Sequence, residues 1–394
     1  SITSTDHHGN LLFYHNNGMK LKKNGLLLVA VLLFFTGIVR ADDGAELIDA
    51  AKYGKIEAAQ ALLERKADVN TTGKDGMTPL IWASIMGHTE MIKLLLENKA
   101  DVKKSDYDDW TPLIWASCKG QLEAMRLLIE TGKASINSRD ENKRNALMIA
   151  AIMGETKAVQ LLIEKGADVN SSDYDGRTAL MWAADKGVGK NLLMFPERKL
   201  VTLLLVYDNT AYAGIVRLLI EKGASVNAAS KRGFTALILA AEKGYEEIAQ
   251  LLIENGKADV NAAAADGWNS LMFASQNGHY GVVKLLIDQG ANVNKKAQNG
   301  VTALMQACRK GHTDIFKLLI EKVSKSNINE KDDNGWTALM YGSQAGNLEI
   351  VQLLVKKGAN VNVKNKNGQT ALTIAISKKN NEIVELLKNA GAKG

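Results

Sequence analysis

From residue 42 onward the apolar positions fall into two short blocks that alternate along the chain. The stretch Thr78 to Lys103 (TPLIWASIMGHTEMIKLLLENKADVK) shows both. Thr78 can cap the free amides of a helix, and Pro79 suits the first helical position, where a missing N–H costs nothing. Leu80, Ala83 and Ser84 give that first helix a short, small-residue face. Gly87 ends it, because glycine enters the left-handed region without a Cβ clash. Thr89 and Glu90 open a second helix whose Met91, Ile92, Leu94, Leu95 and Leu96 are too apolar for an isolated pair of helices. Neighbouring copies must therefore cover it, and stability should be a sum of repeat and nearest-neighbour terms.

The pattern recurs. The capping position is occupied by Thr78, Thr111, Asn145, Thr178, Thr235, Asn269, Thr302, Thr337 and Thr370, at steps of 33, 34, 33, 57, 34, 33, 35 and 33 residues. The helix-ending glycine keeps the same beat at Gly54, Gly87, Gly120, Gly154, Gly187, Gly244, Gly278, Gly311 and Gly346, and Asn380 stands for it in the last copy.

The TPLIWAS openings at Thr78 and Thr111, the TAL openings at Thr178, Thr235 and Thr337, and the 33-residue beat resemble the ankyrin repeat. The resemblance implies an all-α ankyrin-repeat α-solenoid, each repeat a helix-turn-helix with a hairpin-tip loop, in a curved stack. The repeat domain is expected over residues 42–394 in ten copies: 42–70, 71–103, 104–137, 138–170, 171–227, 228–261, 262–294, 295–329, 330–362 and 363–394. The first and last copies carry polar outer faces suited to capping. In one respect the chain departs from the family pattern. The usual histidine is Ile81, Ile114, Met148, Met181, Ile238, Met272, Met305 or Met340, so apolar packing is expected to replace its bonds between tip and helix.

Two segments stand outside the pattern. Residues 1–18 have neither period nor core and are expected to be an unstructured upstream segment foreign to the native protein. Residues 19–41 read as a secretory signal: Lys20, Lys22 and Lys23, an apolar run from Leu26 to Val39, and a small-residue cleavage site at Ala41. The expected localisation is therefore export, periplasmic or secreted, with an uncleaved signal anchor as the alternative. The 57-residue step holds a 24-residue insert, 188–211, whose removal restores the repeat. Its in-frame placement and foreign composition favour an artefact over a loop extruded from one edge.

Charge and chemistry narrow the function. Formal net charge is +6, but the first 41 residues hold +3 and the insert +1, which leaves the repeats about +2 and no clustered basic face for nucleic acid. Cys118 and Cys308 lie too far apart in a linear stack for a disulfide. His88, His279 and His312 follow a helix-ending glycine, where a ring can cap the second helix. The acidic tips Asp106, Asp108, Asp109, Asp173 and Asp175 lack the glutamate that would close a calcium loop, and read as solvated turn carboxylates. No catalytic constellation, metal site or cofactor is expected, so the chain is not read as an enzyme.

All six tryptophans fall in two columns of the repeat. Trp110, Trp268 and Trp336 precede the capping position, with Arg144, Arg177 and Phe234 in the same column. Trp82, Trp115 and Trp182 stand four residues after it, with Phe273 and Tyr341. In the ankyrin family these positions face the concave groove and carry partner contacts. The resemblance therefore implies a non-catalytic module that binds a protein partner on an aromatic face. Packing of the rings on one another to rigidify the stack is the competing reading, as for a structural, scaffold or protective envelope protein. Self-association through the stripe also stays open, while no stable membrane span is expected once the signal is cleaved.

Overall fold

The computed structural model describes residues 3–5, 11–14, 20–21, 42–186 and 209–393. It divides into two compact units, residues 1–140 and 141–394. The signal-like segment beyond Leu21 and most of the insert lie outside the described residues.

In the first unit three helical pairs follow one another: Asp43–Lys52 with Ile56–Glu64, Pro79–Met86 with Thr89–Glu97, and Pro112–Cys118 with Leu122–Glu130. Among its described residues the second unit holds seven. They are Ala146–Met153 with Thr156–Glu164, Ala179–Ala184 with Asn209–Glu221, Ala236–Lys243 with Glu246–Glu254, Ser270–Asn277 with Tyr280–Asp288, Ala303–Lys310 with Thr313–Ile320, Ala338–Ala345 with Leu348–Lys356, and Ala371–Ser377 with Asn381–Asn389. Within each unit, first helices pack on first helices and second helices on second helices of the adjacent pairs. Met91, Ile92 and Leu95 are fully buried, as are Ile248, Ala249 and Leu252. The apolar second helix is thus covered by its neighbours.

Each expected cap forms. The side chains of Thr78, Thr111, Asn145, Thr178, Thr235, Asn269, Thr302, Thr337 and Thr370 accept a hydrogen bond from the amide three residues on. Among the described residues the glycine beat is also real, with one correction at the last copy; Gly187 lies outside them. Lys379, not Asn380, takes the left-handed conformation there (φ 59°), and Asn380 follows it as the cap of the next helix.

Two columns of side chains stitch adjacent pairs together. In the first, an asparagine at the end of one copy accepts from a backbone amide of the next. Asn70 takes the amide of Asp101 (2.7 Å), Asn170 that of Ser225 (2.7 Å), Asn227 that of Asp259 (2.8 Å) and Asn261 that of Asn292 (2.8 Å). The column continues from Asn329 to Asn360 and from Asn362 to Lys393. It breaks at Asn294, whose buried Oδ1 has no partner. This is the 35-residue step, where Ser324, Ser326 and Asn327 bond locally instead.

The second column corrects the expectation for the histidines. The helices that follow His88, His279 and His312 have no side-chain cap from these rings. Each ring instead reaches back one copy: Nε2 lies 3.2 Å from Lys52 O, 3.0 Å from Glu242 O and 3.1 Å from Gln276 O respectively. A carbonyl only accepts, so the nitrogen facing it carries the proton. Gln121 and Tyr212 donate in the same way to Ile85 O (3.2 Å) and Ile152 O (2.9 Å). Tyr212 does so from a helix that begins at Asn209, so the last three residues assigned to the insert are helical and continuous with the repeat.

A second difference concerns residues 1–18. Thr3–Thr5, Leu11–Tyr14 and Lys20–Leu21 pair as a three-stranded antiparallel sheet. The run Leu11-Leu12-Phe13-Tyr14 is a strand-like block bounded by Gly9-Asn10 and Asn16-Asn17-Gly18, a hairpin signal that repeat-based reading passes over.

After the second helix five copies place glycine in the left-handed region, at Gly166, Gly223, Gly290, Gly358 and Gly391, but Lys66 (φ 65°), Lys99 (φ 67°), Lys133 (φ 57°) and Lys257 (φ 57°) occupy the same place. A side chain there costs about 1–2 kcal/mol, partly offset by glycine's larger unfolded-state entropy. Lys99→Gly is therefore expected to stabilise the fold by roughly 0.5–1 kcal/mol, read as a higher melting temperature by circular dichroism.

Candidate protein-interaction face

In three copies the tip is a tight turn held to the first helix of its own copy by a carboxylate. Asp106 Oδ1 accepts from the amides of Asp108 and Trp110 (both 3.0 Å), while its Oδ2 accepts from Trp115 Nε1 (2.7 Å). Asp173 repeats this with the amides of Asp175 (2.9 Å) and Arg177 (2.8 Å) and with Trp182 Nε1 (3.0 Å). Asp332 does the same with Asn334, Trp336 and the Tyr341 hydroxyl (2.5 Å). These aspartates are 4%, 8% and 8% exposed, so Asp106 and Asp173 are not the solvated turn carboxylates expected from the sequence, whereas Asp109 and Asp175 are exposed. Nor is apolar packing alone what joins tip to helix. Burial pushes the Asp173 carboxyl above the usual range against the pull of its three donors. It also pushes up the Tyr341 phenol, with its bond to Asp332 adding to the effect.

The spacing was visible in the sequence. Aspartate appears nine residues before Trp115, Trp182 and Tyr341, where the helix offers an N–H or O–H. Before Phe273 and Leu239 the same place holds Ala264 and Ser230.

The two aromatic columns meet pairwise. In the first unit Trp110 and Trp115 are buried with ring centroids 4.7 Å apart. Trp82 is half-buried beneath Lys52, whose Nζ lies 4.7 Å from the ring centre. In the second unit Trp182 is buried under the Arg177 guanidinium, 4.7 Å from its ring, and Arg177 also pairs with Asp185 at 3.1 Å. Burial raises the Asp185 carboxyl in spite of that pairing. Arg144 and Tyr341 are buried too.

The remaining expected positions keep surface. Phe234, Trp268, Phe273 and Trp336 are half-buried. Phe273 touches both Trp268 in its own copy (5.0 Å) and Phe234 in the preceding one (5.6 Å), which makes a continuous three-ring cluster. Arg232 lies over Phe234 at 5.4 Å. Trp336 packs against Tyr341 at 5.0 Å.

Among the described residues there is no group of three or more potential metal ligands, and no helix is long and apolar enough to cross a membrane. Cys118 and Cys308 are both buried, and burial raises the Cys308 pKa.

Repeated capped helix pairs, left-handed glycines and tip turns stitched between copies define a helical-repeat protein of the solenoid class. The chain matches the family described as ankyrin repeats (3 copies) over residues 47–140, 132–209, 203–297, 290–365 and 324–394, and it belongs to that family. It is similar to the ankyrin repeat protein YahD of Escherichia coli (strain K12), 32% identical over 138 residues, covering 31% of this chain and 69% of that protein. It is also similar to ankyrin repeat domain-containing protein 63 of Homo sapiens, 38% identical over 119 residues, 30% of this chain and 26% of that protein. A third relative is the ankyrin repeat and KH domain-containing protein mask-1 of Caenorhabditis elegans, 33% identical over 129 residues. There the match takes in 30% of this chain and 5% of that protein. Ankyrin-repeat proteins generally mediate protein–protein interactions and are typically non-catalytic.

Proposed function

We propose that this chain is an exported, non-catalytic binding module of ten ankyrin repeats that holds a protein partner on the first-helix and tip columns of its second unit. The observation that carries the reading is the half-buried cluster Phe234–Phe273–Trp268, contiguous across two copies, with Arg232 at its edge. Aromatic rings and arginine are the groups most enriched where truncation costs binding energy. The basic start, apolar run and small-residue site over 19–41 support export. The burial of Trp110, Trp115, Trp182 and Tyr341 favours a second reading for the stripe as a whole, a rigid scaffold without a dedicated partner.

The test is selection of a random-sequence peptide display library on the full chain, followed by Trp268→Ala/Phe273→Ala. Selected peptides should lose at least about ten-fold in affinity to the variant, about 1.4 kcal/mol. Its far-ultraviolet circular dichroism should stay unchanged. Equal affinity for both proteins moves the function to the scaffold.

A further inference from the structure

Gln306 occupies the same column as Phe273 and Tyr341, on the helix Ala303–Lys310, which packs between the helices that carry those two rings. It is 1% exposed, and neither its amide nitrogen nor its amide oxygen has a hydrogen-bond partner. Every other hydrogen-bonding side chain of this column in the second unit is served from the tip: Trp182 by Asp173 and Tyr341 by Asp332. Nine residues before Gln306 the tip holds Ala297, which has nothing to offer. A buried amide with both ends unpaired lowers stability, and a methyl- or thioether-ended side chain of similar size would avoid the loss. Other copies show that such side chains suit the column: Leu239 and Ile374 fill it two copies away on either side.

We infer that Gln306 is a main-chain reader: its carboxamide pairs with the N–H and C=O of one residue in an extended segment of the partner lying across the aromatic face. The inference rests on the binding role proposed above. A primary carboxamide presents one donor and one acceptor side by side, and a residue in extended conformation presents N–H and C=O together on one edge. That match favours an extended polypeptide over a helical one, whose backbone groups are already paired internally. The flanking half-buried rings, Phe273 and Trp268 in one neighbouring copy and Trp336 in the other, supply contact for the segment's side chains. Access to the amide requires side-chain rotation at the column, the commonest change seen when protein interfaces form.

The experiment uses the full chain, wild type and Gln306→Met, with a peptide obtained by the display selection above and a series in which each backbone amide is replaced in turn by an ester, removing one N–H. For wild type, one ester position should weaken binding by about ten-fold. The same ester should make no difference to Gln306→Met, which should also melt several degrees higher than wild type. Identical ester costs in the two proteins at every position overturn the inference, and so does a lower melting temperature for Gln306→Met, which would show the amide satisfied within the fold. If Trp268→Ala/Phe273→Ala abolishes binding while no ester position separates wild type from Gln306→Met, the aromatic face stands and the role of Gln306 falls. If no selected peptide depends on the ring pair, both fall.

Discussion

Gly233→Ala is expected to destabilise the second unit by roughly 3 kcal/mol, while Gly223→Ala costs only about 1–2 kcal/mol. The two glycines share a left-handed backbone, φ +77° and +84°, so the conformational penalty of a Cβ is the same at both. They differ in what the Cβ would meet. At Gly223 nothing lies within 4 Å, whereas at Gly233 the added atom would stand 2.6 Å from the amide nitrogen of Ala265 and 2.9 Å from the carbonyl carbon of Ala264. Those are backbone atoms of the next tip and cannot swing aside. The same amide donates to Arg232 O at 2.9 Å, one of a series that includes Lys231 to Asp175 O and Gln298 to Asp266 O. Making room at Gly233 therefore breaks a bond between copies and adds about 1–3 kcal/mol of overlap to the conformational cost. Chemical denaturation of wild type and both variants measures the difference. Equal losses at the two sites would mean that close approach of neighbouring tips is not what the glycine serves.

How much of this was legible beforehand depends on the range over which each signal acts. The caps at Thr78 or Asn269 and the left-handed Gly244 are decided within a few residues, and the sequence shows them without ambiguity. Gly244 has a further reason that it does not show. A Cβ there would stand 2.4 Å from the His279 ring of the next copy, so the glycine also admits that ring. Contacts between copies are harder to read, because they join residues some thirty positions apart whose side chains could act either locally or at a distance. His88 illustrates the point: its place suits a local cap, yet the ring bonds to Lys52 O, 36 residues earlier. Lys379 was hidden for another reason. Asparagine tolerates the left-handed region better than lysine, so propensity drew the assignment one residue too far.

The candidate site was legible as two columns and illegible as a surface. Composition places Trp110, Trp115, Phe273 and Trp268 in equivalent positions, but exposure depends on the neighbouring copy and on the tip. Where a tip aspartate accepts from the helix ring, as at Trp115 and Trp182, the ring lies buried. Phe273 has no donor and sits opposite Ala264, and it stays half-exposed. The pairing of tip acceptor with helix donor nine residues on thus sorts structural rings from surface rings, and it places Gln306 in neither group.

Removing one tip carboxylate should have an effect as large as that of the Gly233 substitution, since Asp173 serves three donors at once. Asp173→Ala leaves Trp182 Nε1 and the Arg177 amide without their acceptor in a place where Asp173 itself is 8% exposed. Each orphaned buried donor costs about 1–3 kcal/mol, and water can reach the Asp175 amide, so a loss of roughly 3 kcal/mol is expected. Trp182→Phe removes the indole N–H together with part of a buried ring and leaves the carboxylate two backbone donors, at about 2–3 kcal/mol. The double variant should fall short of the sum by about 1 kcal/mol or more, the signature of a direct pair. A coupling near zero would show that the tip is held by other means. The dependence on pH has a definite sign. Burial raises the folded-state value of Asp173 above its ordinary 3.8, so the folded chain binds this proton more tightly than the unfolded chain. The contribution is complete below the unfolded value and is lost as pH rises through the raised one. Wild type should therefore lose stability relative to Asp173→Asn as pH rises through that window, measured as the difference in melting temperature. A difference that grew in favour of wild type with rising pH would mean that the three donors outweigh burial and that the carboxylate holds the tip as a charged acceptor.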